Sequence, residues 1–180
     1  MTKTILILMS MLGAVACGAS DGGTTTSLQT STERNETSCS AAGVGAAAAP
    51  EVMARQVSFS ADVLPIFVAS CGFGECHGAA HGPHNGVFLG SKDDANDAKT
   101  IRAGLVDQAS TESPSTPYVT PSDPSRSFLF RKLEGDMCAL SDCTGSNAAR
   151  CGLVMPRGGD KLDAASLAIV RSWIAQGATE

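Results

Sequence analysis

Seven cysteines lie in a chain of 180 residues, and one stretch concentrates their chemistry: Cys71-Gly72-Phe73-Gly74-Glu75-Cys76-His77. Two thiols followed at once by an imidazole, at the end of a predicted helix, are what covalent haem attachment requires. The sulfurs bind the porphyrin's vinyl groups as thioethers, and the adjacent histidine takes one axial position of the iron. The regular spelling is C-x-x-C-H, whereas here four residues separate the cysteines. Both sulfurs must still face one way, so the chain has to bulge, and Gly72 and Gly74 supply backbone freedom for that. A second axial ligand must come from far along the chain. Met155 is the candidate. It stands in Gly152-Leu153-Val154-Met155-Pro156-Arg157-Gly158-Gly159, a loop that presents a thioether free of helical constraint. Met/His ligation raises the iron's reduction potential.

Residues 57–180 hold the elements that must position these groups. All six Phe, the Tyr and the Trp lie between Phe59 and Trp173. Ser60 or Asp62 is placed to cap a first helix running to about Ser70. Val63, Ile66 and Phe67 form its apolar face, Pro65 sits in its first turn, and its end delivers Cys71. Residues 78–92 read as a loop with His81, His84 and a short apolar hook, Gly86-Val87-Phe88-Leu89-Gly90. Asp93 or Asp94 caps a second helix to about Val106. Asp123-Pro124 opens a third, which Gly135 stops, with Leu129 and Leu133 inward and Arg126, Arg131 and Lys132 outward. Asp163 caps a last helix ending at Gly177, with Leu167, Val170, Trp173 and Ile174 as its stripe. No alternating strand pattern of useful length occurs. The expectation is an all-α domain of about four helices with long loops.

Residues 1–16 read as a secretory signal: Lys3, an apolar run from Thr4 to Leu12, then Ala14-Val15-Ala16. The apolar run is too short to span a membrane. Cys17 follows directly, and small residues ahead of a cysteine resemble a bacterial lipobox, with Ala14 where Leu is usual. The favoured reading is lipidation at Cys17, which tethers the protein to the cell envelope facing the periplasm or the outer-membrane surface. The alternative is a soluble secreted protein. Residues 17–56, rich in Ser, Thr, Ala and Gly and containing Cys39, are expected to be a disordered tether. With 13 basic and 18 acidic residues, the formal charge of −5 argues against a nucleic-acid partner.

The domain resembles a c-type cytochrome of the kind found in exported bacterial proteins. The resemblance rests on Phe59-Ser60-Ala61-Asp62-Val63-Leu64-Pro65-Ile66-Phe67 leading into Cys71, Cys76, His77 and Gly78. It continues through Pro121-Ser122-Asp123-Pro124-Ser125-Arg126-Ser127-Phe128-Leu129, then Met155-Pro156 and Gly158-Gly159, and closes on Val170-Arg171-Ser172-Trp173-Ile174-Ala175-Gln176-Gly177-Ala178. It covers roughly residues 57–178. It implies a cytochrome c-like fold in which first and last helices cross over one haem c, single-electron transfer as the activity, and weakly bound redox proteins as partners. It implies an electron carrier and no enzyme, with both axial positions filled by His77 and Met155.

Competing readings stay open on the residues. Cys71 and Cys76 could form a plain disulfide in a haem-less domain used for binding or as a structural module. Cys71, Cys76, His77 and His81 could be named as zinc ligands, although adjacent Cys76 and His77 suit a tetrahedron poorly. His84 or His81 could replace Met155, or Met155 could be core filler, and without a Met155 ligand a haem enzyme is conceivable. Cys138, Cys143 and Cys151 read as structural. With Cys39 they allow three pairings, and a disulfide involving Cys143 or Cys151 would pin the Met155 loop. Arg126, Arg131, Lys132, Arg157, Lys161 and Arg171 read as a solvated face or as a docking rim.

Overall fold

The structure, a computed structural model, describes residues 51–82, 84–137, 140–145 and 151–180. The expected signal segment, Cys17, Cys39, the expected tether up to residue 50 and Cys138 lie outside the described residues. Among the described residues four α-helices carry the fold: α1 (Leu64–Cys71), α2 (Ala98–Ala103), α3 (Phe128–Glu134) and α4 (Ala164–Ala175). Among the described residues there is no strand, only isolated bridges joining Val106 to Val119 and Ala109 to Pro117. The all-α expectation holds for these residues. No described helix is long and apolar enough to cross a membrane.

The first helix starts earlier than expected. Ser58 is its cap: its hydroxyl accepts from the Ala61 amide, and Asp62 accepts from the Ser58 amide in return. Both ends of the turn are thereby satisfied, as in a capping box. A π-helical turn, Phe59–Val63, leads into α1, with Pro65 in the first turn of α1, where its missing N–H costs nothing. Arg55 grips Asp62 through both carboxylate oxygens, at 3.0 and 2.9 Å. That hydrogen bonding holds the Asp62 carboxyl below its usual range.

The second helix is shorter than the sequence implied. Asp97 caps it, accepting from the Lys99 amide, while Asp93 and Asp94 belong to a turn built on the Ser91 hydroxyl. The third is broken. Asp123 caps only a 3-10 turn, Pro124–Arg126, and α3 begins afresh at Phe128. Gly135 stops α3 with a φ of +80°, a conformation that favours glycine. The last helix forms as expected, with Asp163 accepting from the Ser166 amide at 2.8 Å.

The core closes where α4 meets the start of the domain. Trp173, Phe59 and Phe67 are fully buried, with Phe59 5.1 Å from Trp173 and 6.3 Å from Phe67 between ring centroids. Each such side chain contributes roughly 1.5–3 kcal/mol by leaving water. Packing begins at Met53, ahead of Val57. The Met53 amide donates to Ser172, and Gln176 donates to the carbonyls of Met53 and Arg55 and accepts from the Val57 amide. The two chain ends of the domain thus clasp each other and leave α3 and the loops to form the remaining wall.

Candidate functional site

The end of α1 and the loops after it enclose a cavity of about 800 Å³. Cys71, Cys76, His77 and Met155 all line it. Phe67, Val87, Leu89, Tyr118, Phe128 and Leu133 supply most of its apolar wall. The volume is within the roughly 300–1,000 Å³ of sites that hold cofactors and drug-sized ligands.

Cys71 is the last residue of α1 and is buried. The four intervening residues then fold into a compact turn. The Phe73 carbonyl accepts from the amides of both Cys76 and Gly78, at 2.9 Å each, and His77 donates to the Cys71 carbonyl at 3.1 Å. The returning segment staples the turn from outside: Leu89 donates to His77, His84 to Cys76 and Lys92 to Gly72, each at 3.0 Å. This register brings both sulfurs and the imidazole to one cavity despite the wide spacing.

The glycines work differently from the expectation. Gly72 has a φ of −78°, open to any residue, and Gly74 has no neighbour within 4 Å of a built Cβ. Gly72 is required for closeness, since a Cβ there would sit 2.7 Å from the Val68 carbonyl oxygen and 2.8 Å from that of Gly90. Gly78, which sequence reasoning passed over, is the tightest. Its Cβ would collide with the Gly72 carbonyl and lie 2.9 Å from the Phe73 carbonyl carbon.

His77 is half-buried, and its Nδ1 lies 3.0 Å from the Val87 carbonyl. With the proton on Nδ1, that bond fixes the ring and leaves Nε2 a lone pair, the arrangement that metal-binding histidines use. Burial lowers the pKa of His77 below 6.5, opposed by the Val87 bond and assisted by His84 and Lys132, so the imidazole is neutral near pH 7. Burial, aided by Cys76, pushes the Cys71 thiol up to about 12. Among the described residues no disulfide joins Cys71 to Cys76.

Met155 is half-buried and sits at a cis Met155–Pro156 bond. Its amide donates to the Lys132 carbonyl at 3.0 Å. That carbonyl is one of the four that the C-terminus of α3 leaves without a helical partner. Four residues earlier the chain is pinned by a Cys143–Cys151 disulfide, Cα to Cα 4.7 Å, as the cysteine spacing suggested.

The reading of Lys132 as outward is overturned. It is 6% exposed, lines the cavity and pairs with Glu112 at 2.6 Å. A signal was present, since Lys132 falls four places after Phe128 and three after Leu129, on the buried stripe. Gly152 makes room for the pair: a Cβ there would lie 2.5 Å from Lys132 Nζ and 2.8 Å from the Glu112 carboxyl carbon.

The remaining candidates separate cleanly. His84 lines the cavity, its ring 6.4 Å from that of His77, whereas His81 is exposed and outside the lining. Among the described residues no three His, Cys, Asp or Glu side chains converge on a metal position, and His81 of the zinc set is exposed, away from Cys71, Cys76 and His77 on the cavity. An imidazole–thioether pair is a different arrangement. The donor chemistry and the volume both suit a covalently bound haem. No family model matches the chain, and no curated protein or solved structure matches it either.

Proposed function

We propose that residues 57–180 are a cytochrome c-like, single-electron carrier with one covalently attached haem, exported and tethered to the cell envelope through Cys17. The observation that carries this is the meeting of Cys71, Cys76, His77 and Met155 on one cavity from two distant parts of the chain. Cys71 and Cys76 would hold the group through their sulfurs, with His77 and Met155 as the axial ligands of its iron. When bound, the haem supplies a one-electron iron couple. The chain's part is positional and electrostatic. Val87 holds the Nδ1 proton of His77 and so keeps Nε2 basic. The apolar wall excludes water and, with Met155 as a thioether ligand, would favour the reduced state of a bound haem. Redox partners would dock weakly, through a small interface.

The test is expression of the full chain with a c-type maturation system, followed by haem staining of a denaturing gel. Stain in the wild type, absent in Cys76→Ala, is the expected result. Met155→Ala should keep the stain and lose the methionine-to-iron charge-transfer band. An unstained wild type would overturn the reading. It would favour the alternative, a haem-less, disulfide-stapled binding or structural domain, whose support is the Cys143–Cys151 staple.

A further inference from the structure

One buried ionic group belongs to neither set of ligands. Lys132 Nζ, paired with Glu112 at 2.6 Å, also donates to the Cys151 carbonyl at 2.8 Å. The same residue's backbone carbonyl receives the Met155 amide at 3.0 Å. A single residue therefore holds both ends of the Cys151–Met155 segment, one end by its side chain and the other by its main chain. Glu112 sets the direction of that side chain. Its other oxygen accepts from Asn85 Nδ2 at 3.1 Å, and its carbonyl accepts from the Thr144 amide at 2.8 Å. Asn85 stands two positions before Val87, whose carbonyl orients His77. A polar chain thus runs along the cavity wall from the segment behind His77, through Asn85, Glu112 and Lys132, to Met155.

A buried ion pair is seldom kept for stability, since desolvation offsets most of its Coulomb gain and an apolar pair of equal size is often as good. Positional specificity is the better use, and the bonding pattern shows what is positioned. We propose that the Lys132–Glu112 pair is the positioning element that seats Met155 at the cavity and ties it to the His77 side. What Met155 then ligates rests on the haem reading; the seating itself does not.

The test uses the full chain carrying E112L and K132M together, so that no buried charge is left unpaired. Amide hydrogen exchange at Met155 should rise by roughly tenfold or more: its bond to the Lys132 main-chain carbonyl remains, but the segment loses the charge-assisted side-chain anchor at the Cys151 carbonyl that holds it in register. Exchange at Leu89, bonded to His77, should stay within about twofold, since the substitutions leave the backbone bonds of the His77 turn in place. Met155 exchange unchanged from wild type would overturn the proposal. If the double variant loses helical circular dichroism, E112Q with K132M, which removes the Cys151 anchor, leaves no buried charge and keeps an acceptor for Asn85, is read in the same way. In haem-stained protein the double variant should keep the stain and lose the methionine-to-iron band, and a retained band would overturn the proposal as well. An unstained wild type counts against the haem alone, because the exchange measurement still decides the seating.

Discussion

Around Cys71 and His77 the backbone hydrogen bonds that fold the turn are local, with partners from Val68 to Lys92, and side-chain bonds at Asn85 link it to Thr111, Glu112 and Tyr118; around Met155 the bonds reach back to α3, to Glu112 and to Asn85. The first wall is a closed local turn, held by backbone groups and by glycines that let carbonyls approach. The second is a loop that has no such turn, held by a disulfide and by side chains from other parts of the chain. Local closure is entropically cheap because few residues are ordered per bond, whereas the Met155 wall needs cross-links. The two walls should therefore fail by different routes, although the Asn85–Glu112 bond links them.

The sharpest break is on the His77 wall. Gly78→Ala puts a methyl against the backbone of Gly72 and Phe73, atoms that cannot move aside without opening the turn. A loss of about 3 kcal/mol is expected, at the upper end for overpacking. Gly74→Ala, four residues earlier and in open space, should change stability by no more than about 0.5 kcal/mol. Urea unfolding of the two variants checks this, and equal effects would mean that the turn is not closed as described.

The Met155 wall breaks through its cross-link. Replacing Cys143 and Cys151 by Ala should cost about 2 kcal/mol, the low end for disulfides, because the pair is only 8 positions apart. Exchange should quicken across residues 151–155 and stay unchanged at Leu89. Quickening at both walls would show that they are one cooperative unit.

How much of this was legible follows the same division. Asp163, the stripe through Val170 and Trp173, and the stop at Gly135 speak through spacing of a few residues, and these elements formed where the pattern put them. Cys71, Cys76 and His77 were legible for the same reason, and Met155 only through the chemistry that demanded a distant partner. The misplaced caps show competition at short range. Asp93 and Asp94 were equally good cap residues, but the Ser91 hydroxyl took their amides and left the role to Asp97. Lys132 failed for a longer-range reason. Its charge argued for solvent, and Glu112, which makes burial tolerable, stands in a loop that no periodicity connects to α3.

A smaller effect distinguishes the walls by pH. The folded pKa of His77 lies below 6.5, so between the two values the unfolded chain binds more protons than the folded one. The stability due to neutral His77 is complete above pH 6.5 and drains away as pH falls below it. Burial raises Glu134, which works in the opposite sense: its contribution is complete below the ordinary value of 4.5 and is lost as pH rises through its folded pKa. The difference between wild type and His77→Gln isolates the histidine. In the haem-free chain the wild type should lose more of its melting temperature between pH 7 and 5 than the variant. Identical slopes would mean that His77 is not buried against Val87 in solution.

The smallest effect concerns the outer edge of the His77 wall. Phe73 is 45% exposed, and Lys92 Nζ lies 3.4 Å from its ring centroid. The pair looks like a clamp over the inserted residues, yet an exposed cation–π contact contributes only about 0.5–1 kcal/mol. The clamp proper is in the backbone, where the Lys92 amide donates to Gly72 and the Phe73 carbonyl receives two amides. Phe73→Ala keeps all three bonds. It should therefore cost about 0.5 kcal/mol in urea unfolding and leave exchange at Leu89 unchanged. A cost above about 2 kcal/mol would mean that the ring holds the loop, and the wide spacing would then depend on an aromatic side chain and not on the glycines that let the backbone close.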